Sequence, residues 1–96
     1  MDIKKLEKPD FDLEIDNDIK IGLESRVILF NDDWHSFEEV ITQLIKATKC
    51  TFEQARDHTF EVHVKGQSIV FTGHMSKCLK VSSVLEEIAL LTQIIT

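Results

Sequence analysis

The chain has 96 residues, 43% of them hydrophobic, a mean hydropathy of -0.07 and a formal net charge of -6. A chain of this length supports one modest core and leaves no room for a second domain. The acidic balance opposes binding to a phosphate backbone, and no apolar run approaches the roughly 18 residues that a membrane span needs.

Residues 1–24 carry Lys4, Lys5, Lys8 and Lys20 against Asp2, Glu7, Asp10, Asp12, Glu14, Asp16, Asp18 and Glu24, so 4 - 8 = -4 of the net charge sits in this leader. The segment has little contiguous apolar surface to offset the entropy of ordering it, and the expectation is a flexible acidic tail. Phe11, Leu13, Ile15, Ile19 and Ile21 nonetheless alternate with charged residues, the period of a strand formed on demand. The acidic run from Asp12 is no calcium loop, because Asn17 stands at its obligatory glycine and Leu23 at its closing glutamate. Asp2, Lys4, Lys5 and Glu7 replace the apolar stretch of a signal peptide, and Cys50 and Cys78 lack CxxC spacing. Both read as reduced thiols of a cytoplasmic protein.

The folded domain is expected over residues 25–96. Ser25 to Phe30 is a short apolar run of β-favouring side chains, halted by Asn31-Asp32-Asp33. Ser36 and Glu39 form a capping box, and Phe37, Val40, Ile41, Leu44, Ile45 and Thr48 follow one helical face, which predicts a helix from about Ser36 to Lys49. Thr51 and Gln54 open a second helix that carries Phe52, Ala55, Thr59 and Val62 until Gly66 stops it, with His63 near its end. Ser68 to Thr72 is a second strand candidate between Gly66 and Gly73. Val81, Val84, Leu85, Ile88 and Leu91 then recur at helical intervals, predicting a third helix over most of the remainder. The order strand, helix, helix, strand, helix predicts an α+β fold with helices covering one face of a small sheet.

Asn and Asp are common in turns for plain backbone reasons, so the Asn31-Asp32-Asp33 triplet alone points first to structure. The wider pattern is more specific. Val27 to Trp34, then Phe37 and Val40, then Phe60-Glu61-Val62-His63 with Gly66 behind, resembles the ClpS family of Clp protease adaptors over about residues 25–90. The resemblance implies a small antiparallel sheet with three helices packed on it, no enzymatic activity and no cofactor. It also implies capture of proteins whose first residue is large and hydrophobic, and their delivery to a Clp AAA+ unfoldase of the ClpA or ClpC type. By the same resemblance Asn31, Asp32 and His63 hold the ligand's α-amino group, with Asp33 beside them. Leu29, His35, Phe37, Val40, Thr59 and Val62 are the implied walls of an apolar pocket. Lys80 is matched, more weakly, to an unfoldase-docking lysine.

The chemistry is consistent with that implication. A free protein N-terminus is a small cation with three donors, for which a carboxylate, an amide oxygen and an imidazole nitrogen are suitable acceptors. At roughly 4 Å and an effective dielectric near 20 the bare attraction is about 4 kcal/mol, much of it removed by desolvation. Burying a Leu or Phe side chain adds about 1.5 to 3 kcal/mol. Affinity on the order of micromolar follows, and a monomer suffices.

Three features depart from the family pattern. Thr59 stands in place of a bulky Met, and His35 and Phe37 in place of Thr and Met, which predicts a reshaped pocket with looser selection near Thr59. The stretch from Gly73 to Lys80 is one residue shorter and lacks the family's acidic-and-alanine pattern. Relatives continue past the third helix into a further strand that supplies an apolar wall residue; here either Leu91 to Ile95 substitute or that wall is thin.

Two other readings compete. Asp32, Asp33, His35 and His63 are ordinary ligand types for a divalent metal, although His58 and His63 lie five apart rather than four. A purely structural interaction domain, akin to the C-terminal region of the ribosomal stalk protein, explains the helices but leaves Asn31-Asp32-Asp33 and His63 as coincidence. Ser82, Ser83 and Cys78 sit in no motif that marks an activated nucleophile.

Overall fold

The structure is a computed structural model that describes residues 24–96; residues 1–23 of the acidic leader, with its alternating apolar residues, lie outside the described residues. Strand β1 (Ser25–Phe30) is followed by helices α1 (Phe37–Thr48) and α2 (Phe52–Lys65), strand β2 (Gln67–Gly73), helix α3 (Met75–Glu86) and strand β3 (Thr92–Ile95). The strands form one antiparallel sheet in the order β2-β1-β3.

The central place of β1 accounts for its unbroken apolar run, since a strand paired on both sides and packed on one face must bury most of its side chains. Val27 and Leu29 are fully buried against the helices, and Ile28 stands between Ile69 of β2 and Gln93 of β3. The β1-β2 register slips between Val27 and Ile28, whose partners are Phe71 and Ile69, leaving Val70 as the extra residue of a bulge. Val70 joins the core.

The helix ends follow local chemistry. Both capping boxes form: Glu39 N–H donates to Ser36 Oγ at 3.1 Å while Ser36 N–H donates to Glu39 Oε1 at 2.8 Å, and Thr51 and Gln54 repeat the arrangement. Lys49 (φ 63°) and Gly66 (φ 90°) end α1 and α2 in the left-handed conformation. Val40, Leu44, Ala55, Val62, Val81 and Leu85 turn inward from the three helices to meet Val27 and Leu29.

The third helix differs from its expectation. It stops at Glu86, and the chain beyond it returns as β3, which pairs with the second edge of β1. The apolar periodicity from Val81 to Leu91 is therefore not continuous helix. Ala89 takes a left-handed φ of 64° and reverses the chain, so that Leu90 enters the core while Leu91 points outward, 63% exposed. Polar bonds fasten this return: Ser82 Oγ lies 2.7 Å from Thr92 Oγ1, and both hydroxyls donate to Glu86 Oε2 or to each other. Gln43 Nε2 of α1 donates to the Val84 carbonyl at 2.6 Å, and Lys46 pairs with Glu87 at 2.9 Å, holding the carboxyl of Glu87 below its ordinary range.

Candidate functional site

The turn between β1 and α1 is positioned from two sides. Phe30 N–H donates to the Leu91 carbonyl (3.0 Å) and Asn31 N–H to the carbonyl of Gly66, the residue that ends α2 (2.9 Å). The second bond seats the last turn of α2 against the start of the β1-α1 turn, which is how His63 and Asn31 become neighbours although 32 positions apart in sequence. The Phe37 ring packs edge-on against His63, with centroids 5.5 Å apart.

Between these elements lies a cavity of about 340 Å³. Its lining includes Leu29, Asn31, Asp32, Asp33, His35, Phe37, Val40, Thr59, Val62 and His63, so every residue singled out in the sequence for the amine cradle or the pocket wall meets at one place. Lys80 does not; it borders a separate groove between α1 and α3 with Lys49, Lys77 and Phe71. The sequence reading missed Phe30, Ser36 and Leu90 as lining residues. Leu90 supplies an apolar wall just ahead of Leu91 to Ile95, and no signal marked it, because the helical spacing of its neighbours runs on through Leu91.

At Thr59 the wall is less polar than its residue type suggests. Thr59 Oγ1 donates to the Ala55 carbonyl one turn earlier (2.8 Å), so its hydroxyl is satisfied by its own helix. Leu29, Val40 and Val62 serve at once as core and as wall. The rim is polar: Asn31 and Asp33 are exposed, and among the described residues the side chains of Asn31, Asp33 and His63 have no hydrogen-bond or ion-pair partner.

Asp32 and His35 are engaged differently. Asp32 Oδ1 accepts the N–H groups of Trp34 (3.1 Å) and His35 (2.9 Å), and its Oδ2 lies 2.6 Å from His35 Nδ1. Burial pushes the Asp32 carboxyl up, but these hydrogen bonds and the His35 charge outweigh it and hold the group below its usual range. The other ring nitrogen of His35, Nε2, lies 2.6 Å from the Ile88 carbonyl, and Trp34 covers the ring at 4.0 Å between centroids. His35 thus lines the pocket, where the sequence placed it, and is also a polar link inside the wall. With both nitrogens engaged it has none for a metal, and among the described residues no three His, Cys, Asp or Glu side chains converge as a ligand set.

A shallow apolar cavity at the junction of a sheet and two helices, with acceptors gathered on one lip, defines a small α+β binding module. A family model described as "ATP-dependent Clp protease adaptor protein ClpS" matches residues 23–92, and the chain belongs to the ClpS family. The solved structure of Agrobacterium tumefaciens ClpS2 bound to L-phenylalaninamide shares the fold with a TM-score of 0.67, at 19% identity, over 74% of this chain and 93% of that one. Human "E3 ubiquitin-protein ligase UBR1" is 35% identical over 51 residues, which is 53% of this chain and only 3% of that protein's length.

Proposed function

We propose that this chain captures proteins by a free N-terminus bearing a large hydrophobic first residue and hands them to a Clp-type AAA+ unfoldase. One observation carries the reading: a single cavity combines apolar walls with a lip of acceptors from Asn31, Asp33 and His63 that are unengaged among the described residues. A first side chain such as Phe fills the hollow formed by Leu29, Val40, Thr59, Val62 and Leu90, while the adjoining α-ammonium meets the lip. The ligand named for the Agrobacterium protein, L-phenylalaninamide, carries both features, a free α-amine and an aromatic side chain, beside its carboxamide.

Within the lip the roles divide. Asp33 is the primary countercharge, because its carboxylate has no partner among the described residues, and Asn31 and His63 supply the amide oxygen and the ring nitrogen that complete the ammonium's acceptors. Asp32 shapes the turn and retains one unoccupied Oδ2 lone pair for the ligand. Capture and release require no covalent chemistry, so the role is that of a monomeric adaptor rather than an enzyme. An unfoldase of the ClpA or ClpC type is the partner, met through the face that carries Lys80, and the ligase activity named for the human relative is not carried over from a match covering so little of it.

Calorimetry with a Phe-initiated peptide tests the reading. Binding with a Kd on the order of micromolar is expected. An N-acetylated copy, which keeps the aromatic side chain and loses the cation, should not bind. Equal affinity for the two peptides would refute it.

A further inference from the structure

We infer that His35 is a positioning residue for ligand capture: its ring ties the β1-α1 turn to the α3-β3 turn across the cavity wall, and capture weakens when the ring loses a proton. The inference rests on the proposed function and adds to it a residue that does its work without contacting the ammonium.

The geometry constrains the ring's protonation. A carbonyl only accepts, so Nε2, 2.6 Å from the Ile88 oxygen, carries a hydrogen. A neutral imidazole has one hydrogen, and Nδ1 would then face Asp32 Oδ2 at 2.6 Å with lone pair against lone pair. Only one further proton, on Nδ1 or on Oδ2, relieves this. Two N–H groups already aimed at Oδ1 favour the ionised carboxylate, which puts the proton on the ring. The charged groups facing the ring agree: Asp32 from the turn and Glu39 from α1 both favour the imidazolium. From the α3-β3 side it meets the Ile88 carbonyl, while Glu86 and Glu87 there are engaged with Ser82 and Thr92 and with Lys46 and Gln43. Burial pulls the ring's pKa down, the bonds to Asp32 and Ile88 more than offset it, and the net direction is upward.

Two consequences follow. The side chain of His35 is 4% exposed and that of Asp32 17%, so the pair is a nearly neutral unit built into the wall, and the charge that meets an ammonium comes chiefly from Asp33. Leu90 sits two residues beyond Ile88, so the bridge also sets how closely that apolar wall approaches the turn. A group whose pKa is raised by folding contributes fully below its unfolded value of about 6.5 and loses the contribution as pH rises through the folded value. The bridge is therefore intact in mild acid and weakens on the alkaline side.

The test compares the full chain with His35→Gln, which can reach the Ile88 carbonyl but carries no titratable ring, using a Phe-initiated peptide between pH 6 and pH 9. The peptide's own amine titrates in that range, and the ratio of the two affinities at each pH removes it. At pH 6 the wild type should bind roughly five- to tenfold more tightly, with the ratio falling towards one by pH 9. A ratio that does not change with pH overturns the inference. Ring nitrogen shifts of His35 in the free wild-type protein provide a second reading that needs neither a folded variant nor a ligand. Two protonated nitrogens at pH 6.5 support the bridge, and a neutral ring overturns it. Absence of peptide binding at every pH together with a charged ring would count against the proposed function and not against the bridge.

Discussion

Asp32 and Asp33 are adjacent in sequence and opposite in engagement: three hydrogen bonds converge on the first carboxylate, whereas the second has no partner among the described residues. Removing each should therefore cost different things. Asp33→Asn is expected to weaken a Phe-initiated peptide about tenfold, since a charge-assisted bond becomes a neutral one, with no change in melting temperature. Asp32→Ala should lower both affinity and melting temperature, because the turn loses the acceptor for two backbone N–H groups. If Asp33→Asn binds as well as the wild type, the division of roles between the two carboxylates is wrong. At this scale the residue types of the lip were legible in the sequence, since Asn31-Asp32-Asp33 ends a buried strand and His63 ends a capped helix. The engagement of His35 was not legible: its second partner is a backbone carbonyl 53 positions away, and no side-chain pattern marks where a carbonyl will point.

The helix ends matter as much as the helices. α2 stops because Gly66 adopts φ 90°, and the Gly66 carbonyl then accepts Asn31 N–H, which brings the end bearing His63 to the β1-α1 turn. A Cβ at Gly66 would meet nothing within 4 Å, so any cost of Gly66→Ala is conformational rather than steric. An expected loss of about 1 kcal/mol of stability follows from placing an L side chain in the left-handed region. Denaturant unfolding checks it, and a variant as stable as the wild type would show that the end of α2 is not held in this conformation. The first two helices were legible because capping boxes and apolar periodicity coincide in both. β3 was hidden for a physical reason. Val84, Leu85, Ile88 and Leu91 keep helical spacing through the break, and the residue that reverses the chain is Ala89, a strong helix former in which a left-handed φ has no sequence signature.

Across the whole molecule, the described domain carries 7 - 9 = -2 of the formal charge over residues 25–96, against -4 in residues 1–24. We expect the two parts to separate by function, with the domain binding the ligand and the leader assisting its transfer. Deleting residues 1–24 should leave peptide affinity unchanged and slow unfoldase-dependent degradation of a Phe-initiated reporter; loss of both activities would refute that division. The α+β class followed from the order of elements alone. The closure of the cavity by Leu90 did not, because it depends on the return of β3 to the far edge of β1.

The central claim is that an ammonium and an apolar side chain are read together in one place. The most direct measurement follows backbone amide signals of isotope-labelled protein during titration with L-phenylalaninamide and with its N-acetyl derivative. Saturable shifts confined to the turn at 31–36, the end of α2 around Thr59 to His63, and Leu90 are expected for the free amine, with none for the acetylated compound. Equal shifts from both compounds, or shifts mapping to another face of the domain, would contradict the account.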